Sequence, residues 1–258
     1  MNEETKIGYL RTDMLRIITD RRLYIAIIGT VIALFFALEG RDFAVSVLYV
    51  FIAATGRVGF AIVYVFCAYP FASCFSEDLG NNYIRYALIR GNLKEYVRAK
   101  VVWIMLTAIF VLSVGCTLFA LICRIWMPWS DSNIMEYMLS SCMFRYFLVE
   151  GPDVLWYTLY GVQQGILAGI LALVSSYVSL FVTNKMIVLV IPGLFHQILI
   201  EFSYGMTENL SFFQLYVFNP EYKTFENDLL SFGWALILGL LCTMIIACAI
   251  YKKVRRRI

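Results

Sequence analysis

Residues 154–184 read VLWYTLYGVQQGILAGILALVSSYVSLFVTN and contain no charged side chain. A bilayer's hydrocarbon core of about 30 Å is crossed by roughly 20 apolar residues in helical form, because no water is present there to satisfy a free backbone amide. This run is longer than that and predicts a membrane-spanning helix. Working outward, five further segments approach span length, at 23–38, 58–75, 101–123, 186–200 and 229–251. A seventh apolar stretch, 43–56, lies between Asp42 and Arg57 and is too short for an ordinary span of roughly 20 residues. It is predicted to lie at the outer surface or to dip partway in. Composition agrees, since 61% of the 258 residues are apolar against about 45–50% in an ordinary globular chain. A soluble fold of this size is therefore not expected, and with 15% charged residues and five prolines and sixteen glycines in no low-complexity tract, disorder and collagen-like repeats are excluded. The expectation is an all-α polytopic protein, 1–258 forming a single transmembrane domain of six helices.

Charge orients the bundle. With the N-terminus inside, segments 1–22, 77–100 and 252–258 together with Lys185 carry sixteen of the 21 Lys and Arg, and the outer segments carry five. The inner face sums to +9 and the outer to −6. Basic residues concentrate on the cytoplasmic side of membrane proteins, so both termini are predicted to be cytoplasmic in a plasma-membrane protein. The basic face suits anionic lipid or protein and implies no nucleic-acid partner. Glu3, Glu4, Asp13 and Asp20 argue against a cleaved leader over 1–22. Instead Ile7, Leu10, Met14, Ile17 and Ile18 recur at helical spacing and predict an amphipathic helix along the inner surface.

The reactive groups of an enzyme are missing. H-E-x-x-H, G-x-S-x-G and a second histidine are absent, as is the G-x-x-x-x-G-K-[ST] loop that cradles nucleotide phosphates. One histidine and no cysteine cluster make no ordinary zinc site. Cys67, Cys74, Cys116, Cys242 and Cys248 fall inside the predicted spans and read as packing residues; Cys123 and Cys142 alone stand where a pair is conceivable. The six predicted spans hold no acid, which argues against a proton-coupled carrier. Their deepest polar side chains are Gln163, Gln164, His196 and Gln197, read first as interhelical hydrogen-bonding groups and second as a substrate path. Gly161, Gly165 and Gly169 recur every four residues, with Ser176 further along, and predict a stripe where another helix backbone comes close.

The inner loop at 76–100 reads SEDLGNNYIRYALIRGNLKEYVRAK. Acids open it where a helix N-terminus favours them, Tyr83, Ile84, Ala87 and Leu88 share one helical face, and Gly91 with Asn92 supplies a stop. Taken alone, it is a cytoplasmic helical hairpin resting on head groups. Glu77, Gly80, Leu88, Arg90, Gly91, Tyr96 and the pair Ala99-Lys100 match in order a pattern of another kind. With these residues the chain resembles the membrane subunits of ATP-binding-cassette exporters of the multidrug, polysaccharide and antibiotic-peptide type. Asn81-Asn82 after the glycine and the lack of a turn proline depart from that pattern.

The resemblance implies that residues 83–88 dock in a cleft of a separate ATPase. Its coupling residues would be Glu77, Asp78, Gly80, Tyr83, Ile84, Arg85, Leu88, Arg90, Gly91 and Lys100. It also implies two ATPase copies holding ATP and Mg, a second copy of this chain or a homologous permease, and no cofactor on this chain itself. The aromatic-rich segment 201–228 would be an outer re-entrant or interfacial element. The cargo would be a peptide, drug-like molecule or lipid moved outward. The alternative is a non-transporting membrane sensor, assembly factor or immunity protein; a membrane enzyme would require His196 and Gln197 to line a wet cavity beside Glu201.

Overall fold

The structure is a computed structural model that describes residues 19–38, 46–81, 92–131, 138, 141–182, 184–205 and 215–256. The predicted surface helix at 1–22, all but its last residues, lies outside the described residues, as does the predicted coupling helix at 83–88. What is described is all-helical. In chain order the helices are α1 (Arg21–Phe36), α2 (Val47–Thr55), α3 (Ala61–Ala68, after a 3-10 turn at Val58–Phe60), α4 (Cys74–Gly80), α5 (Leu93–Arg124), α6 (Arg145–Val149), α7 (Asp153–Val178), α8 (Lys185–Tyr204) and α9 (Asp228–Arg255).

Short polar side chains set the starts. Asp20, Ser46, Asn92, Asn184 and Asn227 each accept a hydrogen bond from the first turn of α1, α2, α5, α8 and α9. That satisfies an amide which the helix leaves unpaired. Four helices, α5, α7, α8 and α9, are long and apolar enough to cross a membrane. A fifth span is reached only if α2 and the 58–68 segment, bent by 77° to one another, count as one. Among the described residues four long apolar helices, or five with the bent pair, stand against the six spans expected. Helix α1 covers 16 residues, about 24 Å at about 1.5 Å per residue. The predicted span at 58–75 is interrupted after Ala68 by turns in which Pro70 offers no amide.

Two antiparallel helices, α5 and α7, form the centre. Cβ atoms built on Gly161, Gly165 and Gly169 would lie 2.4 Å from Ser113 Cα, 2.7 Å from Ile109 Cα and 2.6 Å from Met105 Sδ. Three positions four residues apart on α7 thus match three on α5 running the other way, and at Gly161 and Gly165 the two backbones meet directly. In its most apolar window α7 is 72% buried, against 28% for α8 and 17% for α9. The latter two present most of their apolar surface outward, as lipid-facing helices do. Helix α2 is packed into the bundle; Val47, Leu48, Val50, Phe51 and Ala54 are buried. The Phe51 ring meets Tyr160 at 4.8 Å and Tyr157 at 5.0 Å in edge-on geometry, a favourable arrangement for aromatic pairs. Its amides at Val47 and Leu48 donate to Pro128 and Trp129 carbonyls, closing the end of the bundle opposite the basic one.

Candidate functional site

Two polar assemblies stand out, one at each end. At the basic end α4 follows the turns after Pro70 and carries two adjacent acids. Glu77 Oε1 accepts from Lys185 Nζ at 2.7 Å and from Ser73 Oγ at 2.9 Å, and Glu77 Oε2 lies 3.4 Å from Arg22 Nη1. One carboxylate therefore joins the starts of α1 and α8 to α4. Burial pushes its pKa up, but the Lys185 and Ser73 hydrogen bonds and the Arg22 charge outweigh that and hold the carboxyl below its ordinary range.

Asp78 turns inward. Its carboxylate is 3.3 Å from Lys100 Nζ, both side chains are less than a tenth exposed, and the Tyr96 hydroxyl donates to the same oxygen. Lys100 also lies 5.9 Å from the Tyr96 ring centroid. The end of α4 and the first turns of α5 are thus joined by a buried ion pair. Gly80 ends α4 with no atom within 4 Å of a Cβ placed on it. Of the coupling residues expected from sequence, Asp78 and Lys100 are brought together here, Glu77 pairs instead with Arg22 and Lys185, and Gly80 makes no close contact. Tyr83, Ile84, Arg85, Leu88, Arg90 and Gly91 lie outside the described residues.

At the opposite end, the residues before α9 fold back over α7. Glu221 is buried there, accepting from Thr55 Oγ1 at 3.0 Å and from Tyr160 OH at 3.1 Å. Burial raises its pKa, with the two hydroxyl donors working against the shift. Among the described residues no cation pairs with it. One helical turn deeper, Gln164 Oε1 accepts from Tyr64 OH at 3.0 Å, and the His196 ring lies 4.2 Å from the Tyr64 ring. Gln163 Nε2 donates to the Val217 carbonyl at 3.0 Å, tying α7 to the segment above it. Gln163 Oε1 and His196 Nδ1 are buried without a partner among the described residues. Gln197 faces outward and donates to the Val58 carbonyl at 3.2 Å. The four polar residues singled out in the sequence thus divide: Gln164 and His196 converge on Tyr64, Gln163 reaches the outer segment, and Gln197 braces the bend before α3.

Glu221 was not anticipated. Its signal in sequence is slight, an acid after the turn-forming Asn219-Pro220 among aromatic residues. Cys123 and Cys142 are both buried free thiols. Comparison of the chain with known protein families, with curated proteins and with solved structures finds no match.

Proposed function

We propose that this chain is the permease subunit of an exporter, one half of a pore whose ATP is hydrolysed, with Mg, by a separate polypeptide. The observation that carries this reading is the fastening of both ends of the 79–92 segment. A force applied to that segment reaches α4 and α5 through Asp78 and Lys100, and α1 and α8 through Glu77. A loose surface hairpin has no need of such fixtures, whereas a joint that converts the closure of a soluble partner into helix movement does. The acid, helix, turn and base order of the sequence supports the same assignment, and the missing phosphate-binding loop requires the energy source to be elsewhere. The partners are then two ATPase copies and a second permease, in the plasma membrane with both termini cytoplasmic. The cargo is a peptide, a drug-like molecule or a lipid.

The test is purification of the tagged chain from its own membrane. An ATPase bearing a G-x-x-x-x-G-K-[ST] loop is expected in stoichiometric amount, and Arg85→Glu is expected to release it while membrane insertion is unchanged. Recovery of the chain without any nucleotide-binding protein, from membranes in which its neighbours are intact, contradicts the reading and favours a sensor or immunity role.

A further inference from the structure

At the basic end α5 and α9 diverge and leave a cleft of about 880 Å³ between them. Its wall on α9 is built from two stripes at helical spacing. Met244, Cys248, Lys252 and Arg256 follow one another every four residues, and Ala247, Tyr251 and Arg255 do the same beside them. Helix α5 answers with Lys94, Arg98 and Val102 in one stripe and Val97 and Val101 in the next. On both helices, then, the cleft is apolar toward the bundle's middle and basic toward its end.

The charges are unbalanced. Lys94, Arg98, Lys252, Arg255 and Arg256 are all exposed, no acid lines the cleft, and none of the five pairs with a carboxylate among the described residues. Lys253, between them in sequence, is turned elsewhere, with Nζ 4.1 Å from the Phe181 ring centroid. From Met244 to Arg256 the helix advances about 18 Å at about 1.5 Å per residue. One leaflet's share of a hydrocarbon core of about 30 Å is about 15 Å. The cleft therefore has the depth of a single leaflet, an apolar trough for acyl chains and a cationic rim for a phosphate.

We propose that this cleft binds one anionic glycerophospholipid, its phosphate among Arg98, Arg255 and Arg256 and its chains along Val97, Val101 and Met244. The proposal is independent of the exporter reading, since it needs only a membrane and the two helices. A bound lipid would join α5, a central helix, to α9, the least buried of the four long ones.

The test uses the full chain in nanodiscs of phosphatidylcholine with or without phosphatidylglycerol, followed by transfer to detergent and native mass spectrometry. Wild type is expected to retain phosphatidylglycerol in preference to phosphatidylcholine. Arg98→Gln with Arg255→Gln and Arg256→Gln is expected to lower that retention by about tenfold or more, given the attraction of each basic side chain for an anionic surface. Val102→Trp with Met244→Trp keeps every charge but fills the trough from exposed positions, and is expected to lose the lipid as well. Lys253→Gln is expected to change nothing. In addition Cys248, an exposed thiol on the cleft wall, is expected to react more slowly with maleimide when phosphatidylglycerol is present. Equal retention of both lipids by wild type overturns the proposal. So does full retention by the tryptophan variant, which would leave surface charge alone as the cause, or cross-linking of Cys248 to a second copy, which would make the cleft a self-association surface.

Discussion

At the residue scale, the two buried acids make opposite demands. Asp78 has a cation, and removing one member of a buried pair strands the other, which typically costs about 3–5 kcal/mol. Asp78→Ala is therefore expected to destabilise the bundle by about that amount, while Asp78→Leu combined with Lys100→Met recovers most of it, because apolar pairs of similar size replace buried ion pairs well. Unfolding in detergent of Asp78→Leu, of Lys100→Met and of the double checks this, and simple additivity of the single losses contradicts it. Glu221 is held by neutral partners, the Thr55 and Tyr160 hydroxyls and the Asn219 side chain, and its proton is held to higher pH in the fold than in the unfolded chain. Between the ordinary carboxyl value of 4.5 and the raised one the folded state binds more protons, so stability falls as pH rises through that window. The stability of wild type relative to Glu221→Gln, which keeps an acceptor for Thr55 and Tyr160, is expected to fall as pH rises above the ordinary carboxyl value. Thermal unfolding of the two side by side across pH measures it, and a difference that does not change with pH would count against the assignment.

At the element scale the glycine stripe of α7 is the most exacting feature. A methyl at Gly161 would strike backbone, Ser113 Cα at 2.4 Å and the Leu112 carbonyl at 2.9 Å, and neither atom moves without parting the helices. At Gly169 the nearest atom is the end of a Met105 side chain, which can swing aside. Gly161→Ala is expected to cost about 1–3 kcal/mol through overpacking, and Gly169→Ala less than about 1 kcal/mol because alanine also favours the helix. Unfolding of the two variants side by side measures the order, and a larger loss at Gly169 contradicts the packing described. The stripe was legible in sequence because spacing alone carries it. Helix limits were less so. The apolar run begins at Val101, yet α5 starts at Leu93, since Asn92 caps it and Lys94, Glu95, Arg98 and Lys100 are carried on a helix that has not yet reached lipid. The 77° bend between α2 and the following segment was invisible. An apolar run records the need for burial, and Phe51 obtains that burial against Trp156 and Tyr160.

At the scale of the whole molecule, α8 and α9 leave broad apolar faces outward, and the basic residues collect toward one end. The class of protein was legible from residues 154–184 and the neighbouring runs because hydropathy integrates over long windows. The polar cluster around α4 was legible in part. The sequence singled out Glu77, Asp78 and Lys100, but the fixing of Glu77 by Arg22 and Lys185 joins positions far apart in the chain and depends on how the helices are bundled. Glu221 escaped for the same reason, since only folding carries a loop acid beneath Tyr160. The central claim is that the segment between Asp78 and Lys100 is held by a nucleotide-hydrolysing partner. Its most direct test is a photo-crosslinking residue placed at Tyr83 of the full chain in its native membrane. The account predicts a covalent adduct with a polypeptide that carries a phosphate-binding loop, and adducts confined to lipid or to this chain itself would contradict it.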